Sequence, residues 1–100
     1  MNRHILHTVN QSPFTNNTLA QCLAYIDAGD AILLLEDGVY AALSSQSLAA
    51  QLTHTTCYAI KDDLKARGLL EQDRLVHITL IDMNQFVELT TQYDLVQSWY

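Results

Sequence analysis

Glycine is scarce in this chain, with three residues in 100, at positions 29, 38 and 68. Neither a GxGxxG fingerprint nor a Walker A loop can be written with glycines so far apart, which excludes the usual phosphate cradles of nucleotide-binding proteins. Cysteine is nearly as sparse. Cys22 and Cys57 stand far apart, with no CxxC pair and no histidine at metal-ligand spacing, so neither a disulfide framework nor a zinc site is expected. In a reducing compartment each is a free thiol, and free cysteine most often behaves as a small buried hydrophobe. Long apolar runs are also missing. No stretch approaches the ~18 residues a membrane helix needs, and the opening MNRHILHTVNQS lacks the hydrophobic centre of a signal peptide. A soluble, cytoplasmic protein with no membrane partner is the expectation.

Basic charge is short as well. Five Lys plus Arg face eleven Asp plus Glu, a formal net charge of −6, and such a surface repels a phosphate backbone at long range. Direct nucleic-acid binding is therefore not expected. Lys61, Lys65, Arg67 and Arg74 gather in one region, but Asp62, Asp63, Glu71 and Asp73 are mixed among them, the pattern of a solvated face. The one proline, Pro13, follows Ser12 in QSPF, which is not a GxSxG nucleophile elbow, so both residues are read as shaping a loop. Hydroxyls and amides in VNQSPFTNN offer an anion only a weak site at the following helix start. His4 and His7 lie three apart on an expected strand and point to opposite faces, so they cannot share a metal from that strand. They are read as structural or surface residues, and no cofactor is expected.

What the chain does contain is hydrophobic residues, 49% of the total, enough for one domain spanning residues 1–100 with a small core. Their periodicity alternates between two kinds. HILHTV (4–9) reads as a strand, whereas TLAQCLAYI places Leu19, Cys22, Leu23 and Ile26 on one helical stripe. Asn16 or Asn17 can cap that helix and Gly29 can end it. AILLLE is a continuous apolar run, as in a parallel sheet covered on both faces. SLAAQLT then reads as a helix begun by Ser44, Ser45 or Ser47, and TCYAI (56–60) as a strand. Lys61 to Arg67 reads as a short helix stopped by Gly68, LVHITLID (75–82) as a fourth strand, and MNQFVELTTQY as a helix capped by Asp82. In that last helix Phe86, Leu89, Thr90 and Tyr93 share a face. The tail DLVQSWY ends on two aromatics.

This β/α alternation predicts an α/β fold, a small three-layer parallel-sheet sandwich of flavodoxin-like or Rossmann-like type with right-handed crossovers. The functional crevice of such sheets lies beyond the carboxyl ends of the strands. The segment LLLEDGVYAAL (33–43) falls there. Acids cannot follow three leucines into the core without a large desolvation cost, so Glu36, Asp37 and Gly38 mark where the strand surfaces. Asp-Gly between apolar segments is also a hairpin signal. A tight turn into a short helix is the preferred reading, because VYAAL contains helix formers and is followed by serines rather than by an alternating strand. Cys22, placed near the first turn of its helix, is the one candidate for a reactive thiol, since partial positive charge there favours a thiolate. Its membership of the apolar stripe argues for core instead.

LHTVNQSPF, LLLEDGVYAAL, DLKARGL and FVELTTQYDLVQSWY, in this order and spacing, resemble the DsrH/TusB family of sulfur-relay subunits over nearly the full chain. That resemblance implies the DsrE/F/H-like version of the fold and an assembly role: the smallest of three homologous subunits, beside TusC/DsrF-like and TusD/DsrE-like chains, in a heterohexamer with two copies of each. Persulfide sulfur would pass through it to a downstream acceptor protein, toward 2-thiolation of the tRNA wobble uridine or, in the Dsr branch, within intracellular sulfur oxidation. The resemblance implies that the main sulfur-accepting cysteine belongs to the TusD/DsrE-like partner, so this chain is expected to be a relay or scaffold subunit and not an enzyme. Cys22 matches a cysteine position that some members have and others lack, which keeps it as a candidate sulfur carrier. VYAAL and the terminal aromatics would be natural beside a homologous subunit. Glu36, Asp37, Gly38, Tyr40, Trp99 and Tyr100 are accordingly the candidate interface.

Overall fold

The computed structural model describes residues 4–43 and 48–100. Strand β1 (Ile5–Val9) leads to helix α1 (Thr18–Tyr25), β2 (Ala31–Leu34), a short 3-10 helix (Glu36–Ala42), α2 (Ala49–Leu52) and β3 (Thr56–Ile60). Then follow α3 (Lys61–Ala66), β4 (Thr79–Ile81), α4 (Met83–Thr90) and β5 (Leu95–Trp99). All strand pairs are parallel, in the order β4-β3-β2-β1-β5. The α/β sandwich expected from the sequence is present, and its two outer layers are unequal.

That inequality follows from the strand order. From β1 to β4 each strand lies beside its predecessor and the chain moves steadily toward one edge, so right-handed crossovers put every connection on the same face. The return from β4 to β5 crosses to the opposite edge and must cover the other face. Packing agrees. Leu19 and Cys22 of α1, Val39 and Ala41 of the 3-10 helix, Leu52 of α2 and Leu64 of α3 pack with Val9, Ile32, Leu34, Cys57 and Ala59 of the sheet. On the opposite face Leu89 and Phe86 of α4 and Tyr93 cover Leu6, Ala31, Leu33, Ile60 and Ile81. Because both faces are covered, β2 is buried at all four positions, which explains its unbroken apolar run.

Several boundaries differ from expectation. β5 was not foreseen as a strand; its half-exposed Leu95 and Val96 give a weak inward-outward alternation because it is an edge strand paired to β1 alone among the described residues. β4 begins at Thr79 rather than Leu75. Leu75 instead donates its N–H to the Ala42 carbonyl at 2.9 Å and accepts from Ile78 at 3.2 Å, a turn that still delivers Leu75 and Ile78 to the core. Helix α1 ends at Tyr25, with Ile26 already extended, and Gly29 (φ 92°) belongs to the turn that precedes β2. Its start is held by Asn16, whose Oδ1 accepts the N–H and hydroxyl of Thr18, whereas the Asn17 side chain caps nothing. Asp82 caps α4 as expected and does so reciprocally, its carboxylate on the Gln85 N–H (2.7 Å) and the Gln85 amide on its own N–H (2.9 Å). Thr90 turns its hydroxyl back to the Val87 carbonyl. The proposed helix start at Ser44, Ser45 or Ser47 lies outside the described residues. No helix among the described residues is long and apolar enough to cross a membrane.

Candidate functional site

The carboxyl rim of the sheet is built around the end of β1. Leu35, just past β2, donates its N–H to the Val9 carbonyl at 3.1 Å, and the chain then turns away through Glu36, held at φ 51°. The Glu36 N–H reaches the Asp63 carboxylate at 2.7 Å, and Asp37 pairs with Arg67 at 2.9 Å. Arg67 also donates to the Asp63 carbonyl at 3.1 Å, so α3 anchors both acids. Gly38 donates to Leu35 at 2.9 Å, and a Cβ built on it would stand 2.0 Å from the Val9 carbonyl oxygen. The abrupt end of the leucine run is thereby explained: the acids leave the core and bind α3, and the glycine lets the 3-10 helix touch the end of β1. The hairpin alternative fails because the chain continues to a parallel strand.

Trp99 lies opposite Val9 in the β1–β5 register. Glu36–Tyr40 and Trp99–Tyr100 therefore flank the carboxyl end of β1 from its two sides. Glu36, Asp37 and Tyr100 are exposed, and Tyr40 is half-buried, its ring meeting the exposed Phe14 edge to face at 6.2 Å. Gly38 is buried, so it shapes the rim and presents no side chain to a partner.

Cys22 occupies the fifth of eight positions in α1, past the first turn, and its own carbonyl takes the capping N–H of Ile26 at 3.0 Å. It sits in the C-terminal half of the helix, where the local partial charge is negative and disfavours a thiolate. The residue is 0% exposed. Burial, with a further push from the Asp30 charge, drives its thiol up to about 12, and burial likewise drives Cys57 up to about 12. Both sulfurs belong to the same apolar cluster.

One constellation was not legible in the sequence. His7, fully buried in β1, holds Asp30 through Nε2 at 2.9 Å and accepts the Trp99 indole N–H on Nδ1 at 3.0 Å. Asp30 also accepts the N–H groups of Ile5 (2.9 Å) and Asp27 (3.2 Å). Burial alone would raise its carboxyl, but the hydrogen bonds from His7, Ile5 and Asp27 outweigh that and hold it below its ordinary 3.8. Tyr25 closes the group, edge to face with Trp99 at 5.8 Å and with His7 at 6.4 Å. His7 was expected to be structural or at the surface, and it is buried; its partner 92 residues away carries no local signal.

Among the described residues no three His, Cys, Asp or Glu side chains gather as metal ligands. Two open cavities lie at the amino end of the sheet, away from the rim, one of about 390 Å³ beside Thr53–Tyr58, His77 and Thr79 and another of about 270 Å³ beside Ile26–Asp30, and a third of about 340 Å³ lies along the connection before β4, beside Gln72–Val76 and Ile78.

Comparison with known proteins bears on this arrangement. Residues 11–96 match the model of a family described as DsrH like protein. Protein TusB of Pectobacterium parmentieri is 37% identical over 97 residues, covering 95% of this chain and all of the relative. Protein TusB of Serratia proteamaculans is 41% identical over 98 residues with the same coverage. The crystal structure of the ychN protein from E. coli superposes with a TM-score of 0.83 at 16% identity, covering 97% of this chain and 99% of that one, a likeness of fold. The chain belongs to the DsrH family.

Proposed function

We propose that this DsrH-family chain is a non-carrying subunit of a sulfur-relay assembly that passes persulfide sulfur toward 2-thiolation of the tRNA wobble uridine. The TusB names of its relatives support the pathway. In this reading it joins TusC/DsrF-like and TusD/DsrE-like subunits in a cytoplasmic heterohexamer. The partner supplies the accepting cysteine, and sulfur leaves to a downstream acceptor protein. The exposed Glu36, Asp37, Phe14 and Tyr100, with the half-buried Tyr40, form the rim offered to a neighbouring subunit.

The observation that carries the non-carrying role is the burial of Cys22. To accept sulfur, a thiolate must attack the terminal sulfur of a donor persulfide, forming a new S–S bond while the donor leaves as a thiolate. That requires an ionised and reachable sulfur. A thiol at 0% exposure, held neutral to about 12, offers neither. The test is sulfur transfer through the complex reconstituted with both partners and either wild-type chain or Cys22→Ser. Retained transfer supports the scaffold role. A complex that assembles normally but transfers no sulfur makes Cys22 a carrier, as in the alternative of a DsrH-type subunit of sulfur oxidation.

A further inference from the structure

The three side chains joined at His7 leave the imidazole one arrangement of protons. An indole N–H only donates, so the His7 Nδ1 that lies 3.0 Å from Trp99 Nε1 carries no hydrogen. The ring proton is then on Nε2, donating to Asp30 at 2.9 Å. The groups facing the ring are Asp30 from the turn before β2, Tyr25 from α1 and Trp99 from β5; its strand neighbours Ile32 and Gln97 are uncharged. A second proton can enter at Nδ1 alone, and there it would set one N–H against another.

We infer that His7 is a proton-operated latch on the C-terminal strand: the neutral ring holds Trp99 and the end of β5 against β1, and the protonated ring releases them. On acidification the ring takes one proton from solvent at Nδ1, the indole keeps its own and turns to water, and Nε2 stays on Asp30 as a charge-assisted bond. Asp30 remains anionic through that step because its carboxyl lies below 3.8. β5 suits a releasable element. It is an edge strand with β1 as its strand partner, and Trp99 is its contribution to the core cluster. The backbone ladder runs from Ile5–Leu95 to Val9–Trp99 and is anchored at its start by the His4–Asp94 bonds, so release concerns the Trp99 end, where the Thr8–Ser98 hydroxyl pair at 3.3 Å is the other side-chain tie to β1. The latch is independent of the sulfur-relay reading.

Trp99 is the one tryptophan of the chain, so fluorescence of the intact protein reports on it directly. As the pH is lowered from about 8, its emission is expected to shift to longer wavelength in the step in which the His7 ring takes up its second proton. Nuclear magnetic resonance should place the loss of the hydrogen-bonded indole N–H signal at the same midpoint as protonation of the His7 ring nitrogen. His7→Gln, whose amide can accept from the indole and donate to Asp30 without titrating, should keep the high-pH emission throughout. Should that variant not fold, the coincidence of the two wild-type midpoints decides. An indole signal unchanged while the His7 ring titrates overturns the latch, as does a ring that stays neutral until the whole chain unfolds in acid.

Discussion

Replacing Gly38 with alanine is the sharpest test of how the carboxyl rim is built. The added methyl would sit 2.0 Å from the Val9 carbonyl oxygen and 2.8 Å from its carbon, both backbone atoms that cannot swing aside. Relief requires a shift of more than ~1 Å between the 3-10 helix and the end of β1, in a core packed as densely as an organic crystal. That movement strains the Leu35 N–H to Val9 bond and uncovers Val39 and Ala41, which are fully buried. Overpacking costs about 1–3 kcal/mol where side chains can adjust, and a lost backbone hydrogen bond adds about 1 kcal/mol. A loss of about 3 kcal/mol or more is expected. For a domain of this size that is a fall of roughly 12–24 °C in Tm. Gly68→Ala is the control: φ is +68° there and the new methyl meets nothing within 4 Å, so only the left-handed strain of about 1 kcal/mol applies. Thermal melts followed by circular dichroism compare the two. A Gly38→Ala variant that melts within a few degrees of Gly68→Ala would refute the close-approach argument.

Other outcomes follow from the same packing. Cys22→Ser buries a hydroxyl in an apolar cluster and should cost roughly 1–3 kcal/mol in denaturant titrations; native Cys22 should also resist thiol reagents until the chain unfolds. Both thiols are held neutral in the folded state to about 12 while the unfolded chain ionises them near 9.0, so stability should fall as pH rises from about 9 to about 12. An alkaline stability profile that is flat over that span contradicts the burial. Asp30 acts with the opposite sign: its lowered carboxyl contributes stability above 3.8 that is lost as pH falls through the folded value, and Asp30→Ala should cost about 3 kcal/mol or more at neutral pH, read by urea unfolding. Deleting Trp99 and Tyr100 should cost on the order of 2 kcal/mol, less than for a fully buried tryptophan, almost all of it from Trp99. Removal of Tyr100 alone should leave the melt unchanged, because that residue is 84% exposed.

What could be read in advance divides by the range of the interaction. Ala31–Leu34 was legible because an element buried on both faces must be apolar throughout, and Cys57, Ala59 and Ile60, buried behind an exposed Thr56, follow nearly the same local pattern. The Asp82 cap and the turn at Glu36–Gly38 were legible for the same reason, since each is a matter of a few neighbouring residues. β5 was not, because its partner is β1 and its inward side chains meet residues ninety positions earlier. LVHITLID misled because Leu75 and Ile78 reach the core from a turn, which uses apolar residues without strand periodicity. Cys22 was placed correctly on the apolar stripe but too near the helix start; α1 begins at Thr18, so the thiol faces neither the helix N-terminus nor solvent.

These two long-range features bear on each other at the switch between the faces of the sheet. α1 leaves β1 on the crowded face, whereas α4 delivers the chain to β5 from the other, so β1 and β5 are neighbours whose connections lie on opposite sides. In α/β sheets that junction is where function concentrates. Here it is spanned by Trp99, whose indole crosses from β5 to the buried His7, and it is bordered by the rim residues Glu36, Asp37 and Tyr40 beyond the end of β1. Cys22 is fully buried in the same apolar cluster as Leu19 and Val9, and the side chains that reach solvent at the junction are those of Glu36, Asp37 and Tyr100.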